Sequence, residues 1–199
     1  MIPKKAQEIL DFWFKETPSE KRFKKDEVFD KIIRDKFLND YELASQNEYD
    51  DWQDQPMSAL ALVILFDQFS RNMFRDDKKA FAQDHKTRLI VNDAVYAGYL
   101  ESMNENERFF MILPLIHSEE ITDHDMAYYL LNKYLKEYEE YVQIKKFWKD
   151  HTKAIRQFHR YPHRNKILGR ESTEEELAFL NGPNACLLYT SPSPRDVEE

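Results

Sequence analysis

The sequence predicts an all-α protein built from antiparallel helix pairs. Apolar residues return every three or four positions through almost the whole chain, as they do on helices buried along one face. Only 3 glycines and 8 prolines punctuate 199 residues, too few for the tight turns of an all-β chain. The 14 Phe, 11 Tyr and 3 Trp supply large side chains for packing helix on helix.

Taken in order, Ile2, Ala6, Ile9, Leu10, Trp13 and Phe14 share one helical face, and Thr17-Pro18-Ser19 ends that helix. Phe29, Ile32, Ile33, Phe37, Tyr41 and Ala44 repeat the pattern, with Asp26 and Glu27 placed to favour the helix start. Pro56 suits the first turn of a third helix reaching about Phe74. Its apolar run Ala59 to Phe66 is far shorter than the roughly twenty residues of a membrane span, so it predicts a buried core helix. A fourth helix runs from Ala80 to Ala97 and stops near Gly98. A fifth covers Asn104 to Glu120 and is predicted to kink or break at Pro114.

Thr122 and Asp123 are suited to accept hydrogen bonds from the first amides of a sixth helix, carried by Met126 to about Tyr141. A seventh runs from near Lys145 to Phe158, before Pro162. Ser172-Thr173-Glu174-Glu175-Glu176 has the form of a capping box and opens a short last helix through Leu180. Seven to eight helices with short connections imply helix pairs stacked as a bundle or an α-solenoid. No sequence repeat of the tetratricopeptide type recurs.

Length and core content predict one domain over residues 1–184. Residues 185–199 have no helical period, resemble translated adapter sequence, and are expected to be a non-native or disordered tail that includes Cys186. With 29 basic against 37 acidic residues the formal charge is −8, and neither sign forms a block. The basic stripe of a nucleic-acid binder is missing, so neither nucleic acid nor membrane is an expected partner. A lone cysteine forms no internal disulfide, and the N-terminus runs straight into an amphipathic pattern, so a soluble, cytoplasmic protein is expected.

Three charged clusters interrupt this apolar framework. In the first, Asp67 and Arg71 lie four apart, acid first, the order that favours a helical ion pair; Asn72 and Arg75 follow. Residues seven apart nearly eclipse on a helix, which sets Asp67 under Leu60 and Arg71 under Ile64 and buries both charges. Buried charges persist when paired, so the cluster reads either as a tie between helices or as an arginine site for an anion.

In the second, His117-Ser118-Glu119-Glu120, the three-residue spacing of His117 and Glu120 puts imidazole and carboxylate on one side of a helix. Such a pair serves acid–base chemistry or metal binding, and equally serves as a capped helix end. The third and densest, Arg156 to Asn165, carries His159, Arg160, His163, Arg164 and Asn165 around Pro162, with Arg170 just beyond. It reads as an anion-binding loop before a capped helix start, or as a lattice satisfied internally by Asp67, Glu119 and Glu120. No glycine-rich phosphate loop, paired-cysteine zinc motif or HExxH sequence accompanies these clusters, and no cofactor is expected.

The segments FDQFSRNMFR at 66–75, LPLIHSEE at 113–120 and FHRYPHRNKILGREST at 158–173 resemble the three signatures of a bacterial uncharacterised family, domain of unknown function 924. The resemblance runs from the first helix to about Asn184. It implies a tetratricopeptide-like α-α superhelix and supplies no reaction. Where relatives commonly show proline after the first signature's phenylalanine, this chain has Ser70.

Three functional readings follow. The leading one is a helical-repeat binding protein whose Arg71, His117, His159, His163 and Arg164 line a groove for a small anionic or peptide ligand, oriented by Asp67, Glu119 and Glu120. The second is a hydrolase-like enzyme using His117 or His163 as general base and Glu120 as orienting acid, or using His117, Glu120 and His159 or His163 to hold a metal. The third is an interaction scaffold with every charge paired internally.

Overall fold

A computed structural model describes residues 1–182. It is all-helical, with no strand among those residues. The elements are α1 (Lys4–Asp11), α2 (Glu27–Ser45), α3 (Pro56–Val63), α4 (Ser70–Met73), α5 (Asp84–Tyr96), α6 (Glu105–His117), α7 (Ile121–Tyr134), α8 (Tyr141–Phe158), α9 (Asn165–Leu168) and α10 (Glu174–Leu180). The predicted tail and the end of the predicted domain at Asn184 lie outside the described residues. The described residues form two compact units, one of Met1–Pro18 with Asp26–Pro114, the other of Ser19–Lys25 with residues 115–182.

In the first unit, α2 begins where the sequence places it, because the Asp26 carboxylate accepts hydrogen bonds from the amides of Val28 (2.9 Å) and Phe29 (3.0 Å). Two helices widen into π-turns: α1 continues as Phe12–Glu16, and α3 passes through Ile64–Phe69 into α4. The aromatic core sits on these turns, with Phe12, Phe37 and Phe69 in mutual ring contact and Trp13 set edge-on to Phe69 and Phe110. The extra residue of a π-turn shifts the helical phase, so Asp67 does not lie under Leu60. It is buried because every residue from Ser58 to Ser70 is buried, on all faces of the run.

Ser70 fits this turn closely. Its amide donates to the Leu65 carbonyl, and its hydroxyl donates to the Phe66 and Ala80 carbonyls at 2.6 and 3.1 Å. A proline here would lose all three bonds. Gly98 ends the α5 region in the left-handed conformation (φ 75°), as its position predicts.

Helix α6 is continuous through Pro114, contrary to the predicted break, and stops at His117 instead of Glu120. Residues Phe109 to Ile116 are all buried, so side-chain packing outweighs the amide bond that proline removes.

In the second unit, α7 begins at Ile121, so Thr122 and Asp123 occupy its first turn and do not cap it. It ends at Tyr134, short of the expected Tyr141, and the turn after Leu135 leads into α8. Buried Ala154, Ile155 and Tyr161, with Ile121 and Phe179 against them, form the core. Among the α-helices of the described residues, α9 has no counterpart in the sequence expectations. The capping box of α10 is present: Thr173 Oγ1 accepts from the Glu176 amide at 3.2 Å, and Glu176 Oε2 accepts from the Thr173 amide at 2.8 Å.

Candidate functional site

In the first cluster, Arg71 reaches Asp67 at 3.2 Å and also forms a two-pronged pair with Asp84 at the start of α5, at 3.2 Å. The Gln68 amide donates to the second Asp67 oxygen, so the buried carboxylate is held from two sides. Arg75 grips Asp30 of α2 through Nε (2.6 Å) and Nη2 (2.7 Å), and Asn72 donates to the same carboxylate at 2.7 Å. The Asp30 contact holds the Arg75 guanidinium above its ordinary pKa. Asp67, Arg71, Asn72 and Arg75 thus stitch α4 to α2 and α5. Asp30 and Asp84, the partners on the other helices, carry no sequence signal, because they lie 45 and 13 residues from the arginines they meet.

The second and third clusters come together in the second unit around Tyr161, whose side chain is fully buried and whose hydroxyl donates to the Ile116 carbonyl in the last turn of α6. Arg164, also buried, lays its guanidinium 4.5 Å from the centre of the Tyr161 ring. The rings of His163, His151 and His124 stand 5.3, 6.0 and 6.4 Å from the same centre.

Glu119 is the carboxylate that turns into this group. It accepts from the Tyr161 amide at 2.8 Å and takes both terminal nitrogens of Arg170 at 2.7 and 2.9 Å. Burial alone would raise its carboxyl; these bonds and the charges of Arg164 and Arg170 bring it below the ordinary range. Glu120 is exposed and lies beyond the end of α6, so the predicted pairing of His117 and Glu120 on one helical side does not form. His117 itself is buried at the α6 terminus.

A second clamp holds the end of the unit. Arg160 binds both Glu176 oxygens at 2.6 and 2.8 Å, and Asn165 donates to the same carboxylate at 3.1 Å and to Ser172 at 3.0 Å. The Arg160 bonds draw the Glu176 carboxyl down to about 2 against the opposing effect of burial. His159 caps α8 in the left-handed conformation (φ 55°) and is exposed, apart from the Tyr161 group.

Two histidines that the sequence reading passed over belong here. His124 is fully buried with both ring nitrogens bonded, one to the Ser118 carbonyl and one to the Thr152 hydroxyl, each at 2.9 Å. Burial lowers its pKa, against the Ser118 carbonyl. His151 shares the α8 face of Ile144, Trp148 and Ile155, and a polar residue on that apolar stripe was the available signal.

Among the described residues no group of three His, Cys, Asp or Glu side chains is placed to hold a metal ion, so the proposed His117, Glu120 and His159 or His163 set does not assemble. No helix among them is long and apolar enough to cross a membrane.

Fold and site together define an all-helical protein with basic side chains gathered on a buried tyrosine. The chain belongs to the family described as bacterial protein of unknown function, domain of unknown function 924, whose model matches residues 9–184. Among solved structures it is similar to ATU0120, a protein of unknown function from Agrobacterium tumefaciens, at 35% identity and a TM-score of 0.79 over 88% of this chain and 96% of that one. None of the curated proteins compared matches it.

Proposed function

We propose that the protein binds a small anion in its second unit, at the side chains around Tyr161. The observation that carries this reading is the convergence of Arg164, His151 and His163 on one buried aromatic ring. Glu119 and Arg170 fix the backbone at Tyr161, and with it the turn that carries His163 and Arg164. The arginine is rigid because its guanidinium lies on the ring, so little side-chain freedom is lost when it holds a ligand. The net charge of −8 repels polyanions and favours a small ligand over nucleic acid.

Of the residues named from sequence, His163 and Arg164 carry the reading, with Glu119, Asn165 and Arg170 in support. Arg71 is ion-paired within the first unit and is not assigned to the ligand. A thermal-shift screen of phosphate, sulfate and small dicarboxylates, run on wild type and on Arg164→Gln and His163→Ala, tests it. One or more anions should raise the wild-type melting temperature and leave Arg164→Gln unmoved. Stabilisation that survives both substitutions, or no stabilisation of the wild type, overturns the reading.

A further inference from the structure

We infer that His151 is a ligand-contacting residue of this site, and that it binds an oxyanion through Nε2 while taking one proton from solution. The inference rests on the anion-binding reading above and adds a residue, a ligand class and a proton to it.

The geometry fixes the chemistry of the ring. Nδ1 lies 3.1 Å from the Phe147 carbonyl of the preceding helical turn. A carbonyl oxygen only accepts, so Nδ1 carries the hydrogen, and in the neutral ring Nε2 is a bare lone pair. Nε2 makes no hydrogen bond among the described residues. The side chain is nine-tenths buried, packed on Tyr161 at 6.0 Å and Phe147 at 4.2 Å. His124, by contrast, has both nitrogens bonded and no capacity for a ligand.

The groups facing His151 come from three elements: His117 from the end of α6, His124 from α7, and Tyr161 with Arg164 from the turn after α8. On its own helix it meets Phe147. Burial pushes its pKa down to about 3, the Phe147 carbonyl opposing and His117, His124 and Arg164 adding to the fall. The ring is therefore neutral near pH 7 with no ligand present. An oxyanion at Nε2 brings negative charge to a neighbourhood of bases and reverses that balance. The step is an acid–base one: the buffer acid gives up a proton and leaves as its conjugate base, Nε2 takes the proton, and the new N–H donates to the anion oxygen, so the site gains no net charge from a monoanion.

Sodium sulfate is the probe, because it holds a fixed charge across the working range and any proton taken up belongs to the protein. Calorimetric titrations of the full chain at constant ionic strength, from pH 5.5 to 8 and in buffers of different ionisation enthalpy, read both affinity and protons. The dissociation constant should rise with pH, with net proton uptake accompanying sulfate binding. His151→Gln keeps a side-chain amide near Nε2 without a titrating group, and its sulfate affinity should be flat with pH. In uniformly labelled wild type, the His151 ring carbon shifts should move from neutral to imidazolium values on adding sulfate, a readout that stands even if the variant does not fold. Sulfate binding with no proton uptake, a pH slope that persists in His151→Gln, or an unmoved His151 signal overturns the inference and leaves anion binding standing. No sulfate binding by the wild type at pH 5.5 overturns the inference, and the anion-binding reading falls with it only if phosphate and the dicarboxylates fail as well.

Discussion

Replacing Tyr161 by Phe isolates one hydrogen bond in the middle of the site. The last four carbonyls of a helix have no partner within it, and the Ile116 carbonyl belongs to the final turn of α6. The amide four residues on, Glu120, donates instead to the Ser118 hydroxyl at 3.0 Å. The Tyr161 hydroxyl therefore completes the Ile116 carbonyl, and both residues are 0% exposed. Phenylalanine keeps the ring and leaves no cavity of side-chain size, so the loss reduces to a buried acceptor without its donor, about 1–3 kcal/mol. At roughly 2–4 °C per kcal/mol for a chain of this length, the melting temperature should fall by about 2–12 °C.

Urea denaturation followed by circular dichroism should show a lower midpoint with an unchanged slope. Arg164 and His151 pack on the ring, which phenylalanine keeps, so sulfate stabilisation should persist in the variant. A midpoint equal to wild type would show that water or a shifted amide satisfies Ile116 and that the hydroxyl is not the helix cap.

Further outcomes follow from the same geometry. Glu176 has its folded carboxyl drawn down to about 2 from an ordinary 4.5, so its contribution to holding α10 is complete above about pH 4.5 and disappears as the pH falls through about 2. Hydrogen exchange of α10 amides should show that acid-dependent loss in wild type and none of it in Glu176→Gln. Asp30→Ala leaves Arg75 and Asn72 facing an empty position and should cost about 2–3 kcal/mol, below the full cost of breaking a wholly buried pair because Arg75 is partly exposed. A double-mutant cycle with Arg75→Ala measures the coupling. Gly98→Ala should cost about 1 kcal/mol from backbone conformation alone, since a Cβ there meets nothing within 4 Å. Gly98→Asn should recover part of it in the same chemical denaturation assay.

What the sequence revealed divides along the range of the interactions. The Asp26 cap, the Thr173–Glu176 capping box and the Asp67–Arg71 pair span three or four residues, and each was legible because one helical turn brings its members together. The carboxylate partner of Arg170 lies 51 residues away, and Tyr161 reaches Ile116 across 45. No periodicity selects Glu119 over Glu120 for such a contact. The choice follows from where α6 ends, and Pro114 pointed to a different end. The π-turns were equally hidden, because an extra residue in a run buried on every face leaves the apolar pattern intact.

The same division separates the bases that hold the fold from those available to a ligand. Arg75 and Arg160 are bound to carboxylates through two nitrogens each, at 2.6 to 2.8 Å, and Arg170 through two at 2.7 and 2.9 Å. A planar fork in that geometry is not replaced by lysine, which offers a single point of charge. His124 is bonded at both nitrogens. Against these, His151 has one nitrogen anchored and the other without a hydrogen bond among the described residues, in a ring packed on the buried tyrosine. An imidazole held at one nitrogen has a fixed tautomer and a fixed direction. Fixed direction is what a binding group needs before its ligand arrives.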